Sequence, residues 1–135
     1  MINEILEYIQ TISLSNIYDK NFLKRLCLFD KIMKGDVPFK TDHGYYSSAS
    51  YTRVQHNRWA GPYLGFFHIV PDMTEEEMKT RAFFMTIMLS FFRLPFGGAF
   101  GILSLKTTIC KQELNNICKH FVENMSENIG CTKDI

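Results

Sequence analysis

Histidines, cysteines and carboxylates are the side chains of this sequence that could hold a metal or move a proton. His56 and His68, with Asp72, would form an acid/base or metal set if the fold brought them together. They stand on either side of a Gly61-Pro62 turn and lack the i,i+4 helical spacing that points two histidines at one ion. Each is therefore read as an ordinary core or surface histidine. Cys110, Cys118 and His120 offer a second set, but thiols two helical turns apart cannot share one ion. No metal site is expected. The run Phe96-Gly97-Gly98-Ala99-Phe100-Gly101 is rich enough in glycine to suggest a phosphate cradle. It lacks the GxGxxG spacing after a strand and a helix cap behind it, so a nucleotide site is not expected there.

The elements that would position these residues can be read from periodicity and capping. Ile2, Ile5, Leu6, Ile9 and Ile12 repeat at helical spacing, and Phe22, Leu23, Leu26 and Leu28 open a second apolar cluster after Asp19. Two short helices are expected over a helical lead-in of residues 1–33, ended by Gly35 and Pro38. Asp42-His43-Gly44 then separates Val37–Lys40 from Ala49–Val54 as the turn of a β-hairpin. Thr74 followed by Glu75-Glu76-Glu77 predicts a capping box, with acids at the positive helix end, and a helix to about Leu89. Pro95 to Gly101 predicts a loop of unusual backbone angles before a strand, Ile102–Leu105. A final helix is expected over Lys111–Ser126, with Leu114, Ile117, Cys118, Phe121, Val122 and Met125 on its apolar face. Strands interleaved with helices give an α/β class with a small mixed sheet. The phenylalanines Phe83, Phe84, Phe91, Phe92, Phe96 and Phe100 are read as core.

Composition narrows the function classes. The chain has 135 residues, 46% hydrophobic and 14% aromatic, enough for one domain with a real core. Fifteen basic against fourteen acidic residues leave a net charge of +1, so neither nucleic acid nor an anionic membrane is an expected partner. Four cysteines without a CxxC pair suit free thiols in a reducing compartment. The opening residues Met1-Ile2-Asn3-Glu4 carry no basic leader region, and the most apolar run, Ala82 to Phe92, is shorter than the roughly 20 residues of a membrane span. A cytoplasmic location is expected.

Two segments carry more than secondary structure: Tyr51-Thr52-Arg53-Val54-Gln55-His56-Asn57 followed by Gly61-Pro62, and Leu94-Pro95-Phe96-Gly97-Gly98-Ala99. With Thr74-Glu75-Glu76-Glu77-Met78-Lys79 and Met85-Thr86-Ile87-Met88 between them, they resemble the N-terminal domain of glutamate dehydrogenases and their leucine, phenylalanine and valine relatives. Order and spacing agree from about Asp36 to Gly101, and Ile129-Gly130-Cys131-Thr132-Lys133-Asp134-Ile135 resembles the family's GPTKDI. The resemblance implies a single α/β domain over residues 34–135 behind the helical lead-in, the part that builds the family's hexamer and one wall of its cleft. It also implies that Arg53, Gln55, His56, Asn57, Gly61, Pro62, Pro95, Gly97 and Gly98 are kept for strand pairing and turn geometry.

In the family, the lysines of KGG and M-T-x-K hold substrate carboxylates, the lysine of GGGK serves the α-carbon chemistry and the aspartate of PAPD moves protons. The matching positions here are Leu64, Met88 and Phe100, and the sequence ends at Ile135 before a PAPD. A dicarboxylate in a desolvated cleft needs cationic partners, which leucine and methionine cannot supply. Phe100 has neither proton nor charge to offer. The family places NAD(P) on a separate Rossmann domain, so no cofactor is expected on this chain. The expectation is a catalytically inactive domain, kept as an oligomerisation or interaction module or surviving as a truncated remnant. The alternative is a partner chain of an amino-acid dehydrogenase complex acting on CH–NH2 groups, its cofactor held elsewhere. Expected partners are a second copy or a full-length paralogue. Leu64, Phe66 and Phe67 are expected to fill the pocket vacated by substrate, the other outcome being an exposed patch.

Overall fold

The computed structural model describes residues 2–13, 19–105 and 108–135. Two helices lead in, α1 (Ile2–Ser13) and α2 (Lys20–Leu26), the second capped by the Asp19 carboxylate, which accepts from the Asn21 amide. Leu6 and Ile12, counted in the apolar repeat of α1, lie outside the residues whose side chains are described. Then follow β1 (Lys31–Lys40), β2 (Tyr46–Gln55), β3 (Tyr63–Val70), α3 (Glu75–Phe91), β4 (Gly97–Ser104) and α4 (Lys111–Met125). The sheet has the order β1-β2-β4-β3. β1 with β2 and β2 with β4 run antiparallel, while β3 with β4 is parallel through the α3 crossover, so the sheet is mixed.

The hairpin turns at Gly44, whose φ of 85° suits glycine. Its arms are longer than the sequence suggests. Lys31–Asp36 belongs to β1, paired in register with Ser50–Gln55, so the helical lead-in ends before residue 33. Gly35 and Pro38 sit inside this strand and do not end a helical region; Pro38, lacking an amide donor, is tolerated because β1 is an edge strand.

α3 covers one face of the sheet and α4 the other. Val54, Met78, Ala82, Phe100 and Ile102 form the core under α3. Val37, Phe39, Ala49, Leu103 and Ile117 form the core under α4. β4 lies between both helices, and Gly97–Leu103 is buried throughout. The α3 cap follows the sequence: Thr74 Oγ1 accepts from the Glu77 amide and the Glu77 carboxylate accepts from the Thr74 amide. Glu75 accepts from Lys34 Nζ and pairs with Lys79, which together hold its carboxyl down to about 2. Among the described residues no helix is long and apolar enough to cross a membrane.

The glycine run is a correction. Residues 97–101 are strand, not loop, and none of its glycines has positive φ. They are small because backbones approach: a Cβ on Gly97 would stand 1.8 Å from the Asn57 carbonyl oxygen, and one on Gly98 2.2 Å from the Thr86 nitrogen.

Candidate functional site

Two buried networks gather the motif residues, one on each side of the sheet. Under α4, Arg53 from β2 is almost wholly buried, and its guanidinium meets the equally buried Asp134 carboxylate side-on. Arg53 Nε donates to Asp134 Oδ2 at 3.0 Å, Nη2 donates to Oδ1, and Nη1 donates to the Phe66 carbonyl at 3.1 Å. Gln55 Nε2 donates to the same carboxylate at 2.8 Å. The fork geometry of arginine makes this two-point grip possible. The segment carrying Asp134 also extends the sheet, since Tyr63 N donates to the Lys133 carbonyl and Ile135 N to the Tyr63 carbonyl. Arg53 and Gln55 thus hold the Lys133–Ile135 segment against β3 in addition to pairing strands. In the sequence Asp134 stands out only as part of the GPTKDI-like segment, with nothing there to mark it as the partner of Arg53.

Under α3, His56 is fully buried between the rings of Phe29 and Phe83. Nε2 donates to the Leu26 carbonyl at 2.8 Å, which leaves Nδ1 as acceptor, taking the Thr86 hydroxyl at 2.8 Å and the Asn57 amide at 3.2 Å. Burial lowers the pKa of this imidazole, while the Leu26 carbonyl and Asp30 pull the other way. Thr86 Oγ1 also accepts from the Gly98 amide. The two motif loops interlock beside it: His56 N donates to the Gly98 carbonyl, Gly97 N donates to the Pro62 carbonyl, and a Cβ on Gly61 would stand 2.0 Å from the Pro95 carbonyl oxygen. Thr86, the hub of this network, was read in the sequence only as part of a motif.

The structure does not bring His56, His68 and Asp72 together as a site. His56 faces the core, His68 lies exposed on β3 against the Phe66 and Phe100 rings, and Asp72 turns back on the Met73 amide. Cys110 and His120 also part: Cys110 caps α4, and His120 pairs with Glu123. Among the described residues, one group of metal-type ligands converges, Asp42, Cys110 and Glu113. Its atoms are occupied in tying the hairpin turn to α4: the Cys110 thiol donates to Asp42, and Glu113 accepts from the Asp42 and Cys110 amides. The bond to Asp42 raises the thiol's pKa and so keeps it protonated, a poor nucleophile and metal ligand.

The positions that the resemblance matches to the family lysines, Leu64, Met88 and Phe100, lie along the α3 side of the sheet. Leu64 stands opposite Gly98 and is partly buried; Phe66 stands opposite Phe100. Phe100 is 5% exposed, packed with Val54, Met78, Ala82 and Ile102. The Arg81 guanidinium lies 5.3 Å from the Phe100 ring and the His68 ring 4.9 Å. Met88 projects from α3 and is exposed.

Filling of the vacated pocket is not what happens. Strand alternation sends Phe67 to the α4 side, against Phe121 and over Arg53, while Phe66, on the opposite face of β3, stays 62% exposed. The reading of six phenylalanines as core is corrected likewise: Phe83 and Phe100 are buried, whereas Phe84, Phe91 and Phe92 are exposed. The glycine-rich run does not fit a dinucleotide either. It lies inside β4, with the amides of Gly97 and Gly98 already donating within the fold.

The profile of the Glu/Leu/Phe/Val dehydrogenase dimerisation domain matches residues 30–135. The chain belongs to the Glu/Leu/Phe/Val dehydrogenase family. It is 34% identical over 100 residues to the catabolic NAD-specific glutamate dehydrogenase RocG of Bacillus subtilis, covering 73% of this chain and 24% of that protein. It is 29% identical over 118 residues to the NAD-specific glutamate dehydrogenase A of Halobacterium salinarum, covering 87% of this chain and 27% of the relative. The chain thus spans about a quarter of the curated relatives it matches. The fold superposes with a TM-score of 0.88 on the hetero-hexameric glutamate dehydrogenase of Thermus thermophilus in its leucine-bound form, at 24% identity over 98% of this chain and 32% of that one. The glutamate dehydrogenase of Peptoniphilus asaccharolyticus gives 0.87 at 21% identity, over 99% and 34%. The four-stranded mixed sheet with its helices is that of the N-terminal domain of glutamate dehydrogenases.

Proposed function

We propose that this chain is a non-catalytic member of the Glu/Leu/Phe/Val dehydrogenase family that acts as an assembly domain and binds no NAD(P) by itself. The observation that carries the reading is the environment of Phe100. The position that the family resemblance marks for the reacting lysine holds a phenylalanine locked in the core between β4 and α3, with no proton or charge to give. Leu64 and Met88 supply no cation at the two other marked positions, so a substrate carboxylate would enter without a partner, at a cost of several kcal/mol. The residues that hold the scaffold, Arg53, Gln55, His56 and Asn57, each keep at least one buried side-chain hydrogen bond. A second reading, a partner chain within a mixed glutamate dehydrogenase, is favoured by the hetero-hexameric assembly of the Thermus thermophilus relative.

The test is a chimera joining this chain to the remaining part of the Bacillus subtilis relative, assayed for glutamate-dependent reduction of NAD. The unaltered chimera gives no turnover above background, and Leu64→Lys, Met88→Lys and Phe100→Lys together restore some. Turnover by the unaltered chimera overturns the non-catalytic reading. The solution mass of the 135-residue chain tests assembly: a discrete oligomer supports it and a monomer at every concentration overturns it. For the second reading, co-purification with the full-length relative at a fixed ratio is the expected result.

A further inference from the structure

Cys110 starts α4 from a position where sulfur is an unusual cap. Helix N-caps are ordinarily serine, threonine, asparagine or aspartate, whose oxygens accept from an amide of the first turn. Cys110 Sγ accepts from the Glu113 amide at 3.4 Å, and sulfur is a weak acceptor. Capping alone does not call for a thiol. Its surroundings do: Asp42 Oδ2 stands 2.8 Å from the sulfur. The sulfur and one carboxylate oxygen each of Asp42 and Glu113 all lie within 4.8 Å of one another.

This group has the dimensions and the chemistry of an ion site. With Zn–S of about 2.3 Å and Zn–O of about 2.0 Å, a tetrahedral ion holds sulfur and oxygen ligands about 3.5 Å apart. Small side-chain rotations bring the three groups to that spacing. A thiolate beside carboxylates suits zinc better than magnesium or calcium, which take six or more oxygens. The hydrogen bonds of Glu113 leave it free to ligate, since Oε1 accepts from the Asp42 amide, Oε2 from the Cys110 amide, and each oxygen has a second lone pair. Such outer bonds orient the ligands of metal centres. Charge points the same way. Glu113 is 7% exposed beside a second carboxylate, and among the described residues neither forms an ion pair with lysine or arginine.

We propose that Asp42, Cys110 and Glu113 form a zinc site that clasps the hairpin turn to the start of α4. Asp42 and Cys110 are 68 residues apart in sequence, and the fourth position of the ion opens on a cavity of about 700 Å³ in whose wall His43 stands. The proton that Cys110 gives to Asp42 is what the ion replaces. The S–H bond breaks, zinc bonds to the sulfur and to the freed Asp42 oxygen, and the proton leaves to solvent. The thiol is a poor ligand only while it holds that proton, and the Glu113 amide donating to Sγ supports the thiolate once it is gone. The site lies at the hairpin end of β2, whereas Phe100 pairs with Val54 near the other end, so the proposal is independent of the assembly reading.

The test titrates the 135-residue chain, stripped of metal by a chelator, with Co2+ alone as an optical substitute for zinc. The expected result is one Co2+ per chain with thiolate-to-cobalt absorption in the near ultraviolet, bleached by one equivalent of Zn2+. Zn2+ is also expected to raise the melting temperature. Cys110→Ser abolishes the absorption, and Asp42→Asn and Glu113→Gln each weaken binding at least ten-fold. Changing the other exposed thiols together, Cys118→Ser with Cys131→Ser, leaves it as it was. Circular dichroism verifies that each variant folds. A natural chain without this absorption overturns the proposal, as does absorption that survives Cys110→Ser or is indifferent to both carboxylate substitutions. If Cys110→Ser does not fold, X-ray absorption of the zinc-loaded natural chain decides. One sulfur among oxygen or nitrogen neighbours supports the site, and none or more than one overturns it.

Discussion

Arg53 on β2 and Asp134, 81 residues later, meet as a buried two-point ion pair that joins the Lys133–Ile135 segment to the sheet. Taking either charge away strands the other in a low-dielectric interior, and such losses cost about 3–5 kcal/mol. Asp134→Ala is expected to lose stability in that range by urea unfolding. Arg53→Met with Asp134→Leu is expected to cost less than Asp134→Ala alone, because no orphan charge remains. A double variant as damaged as the sum of the singles would show that the pair is not coupled as described.

His56 gives stability a pH dependence of definite sign. Burial holds its folded pKa below the ordinary value of about 6.5, so the unfolded chain binds the proton first as pH falls. The contribution of neutral His56 is complete above about pH 6.5 and is lost as pH drops towards the folded value. Each further pH unit in that window removes up to about 1.4 kcal/mol. His56→Gln is expected to flatten this part of the unfolding profile relative to the natural chain. Identical slopes for both would place the titration elsewhere.

Gly98 and Gly44 separate two reasons for glycine. A methyl on Gly98 would meet the Thr86 nitrogen at 2.2 Å and the Ala82 carbonyl oxygen at 2.5 Å, backbone atoms that cannot swing away. Gly98→Ala is expected to cost about 3 kcal/mol or to prevent folding, by overpacking the contact of α3 with β4. Gly44 has open space around it but a φ of +85°, so Gly44→Ala is expected to cost only about 1–2 kcal/mol. Thermal unfolding ranks the two, and the reverse order would contradict the close packing of α3 on β4.

How much of this was legible in the sequence depends on the range of the interaction. The Thr74–Glu77 box is complete within four residues, and the structure has it as the pattern predicts. Lys31–Met33 reads locally as the end of a helical lead-in because its strand character comes from pairing with Arg53–Gln55, beyond any local window. Gly97–Gly101 read as a loop because glycine's freedom of φ is a local property, whereas its use here is to admit Asn57, Thr86 and Phe67 at close range. The family's motif residues were identifiable as a set, yet the partner of Arg53 and Gln55 lies at the far end of the chain. Phe91 and Phe92 have the composition of core, and only the assembled sheet shows that α3 turns them outward.

Arg93 ends α3 in a conformation made for glycine. Phe92 is the C-cap, Arg93 follows at φ 55°, the Leu94 amide donates to the Leu89 carbonyl at 2.9 Å and the Arg93 amide donates to Ser90 at 3.0 Å. This pair of bonds is the Schellman arrangement, whose left-handed residue costs a side chain about 1–2 kcal/mol of backbone strain. Glycine removes the strain but adds freedom to the unfolded chain, which returns part of the gain. Arg93→Gly is therefore expected to stabilise by about 0.5–1 kcal/mol, a rise of several degrees in melting temperature for a domain of this size. Arg93→Ala keeps the strain and is expected to leave the melting temperature near that of the natural chain. Equal gains from both substitutions would trace the effect to the lost charge and not to the backbone.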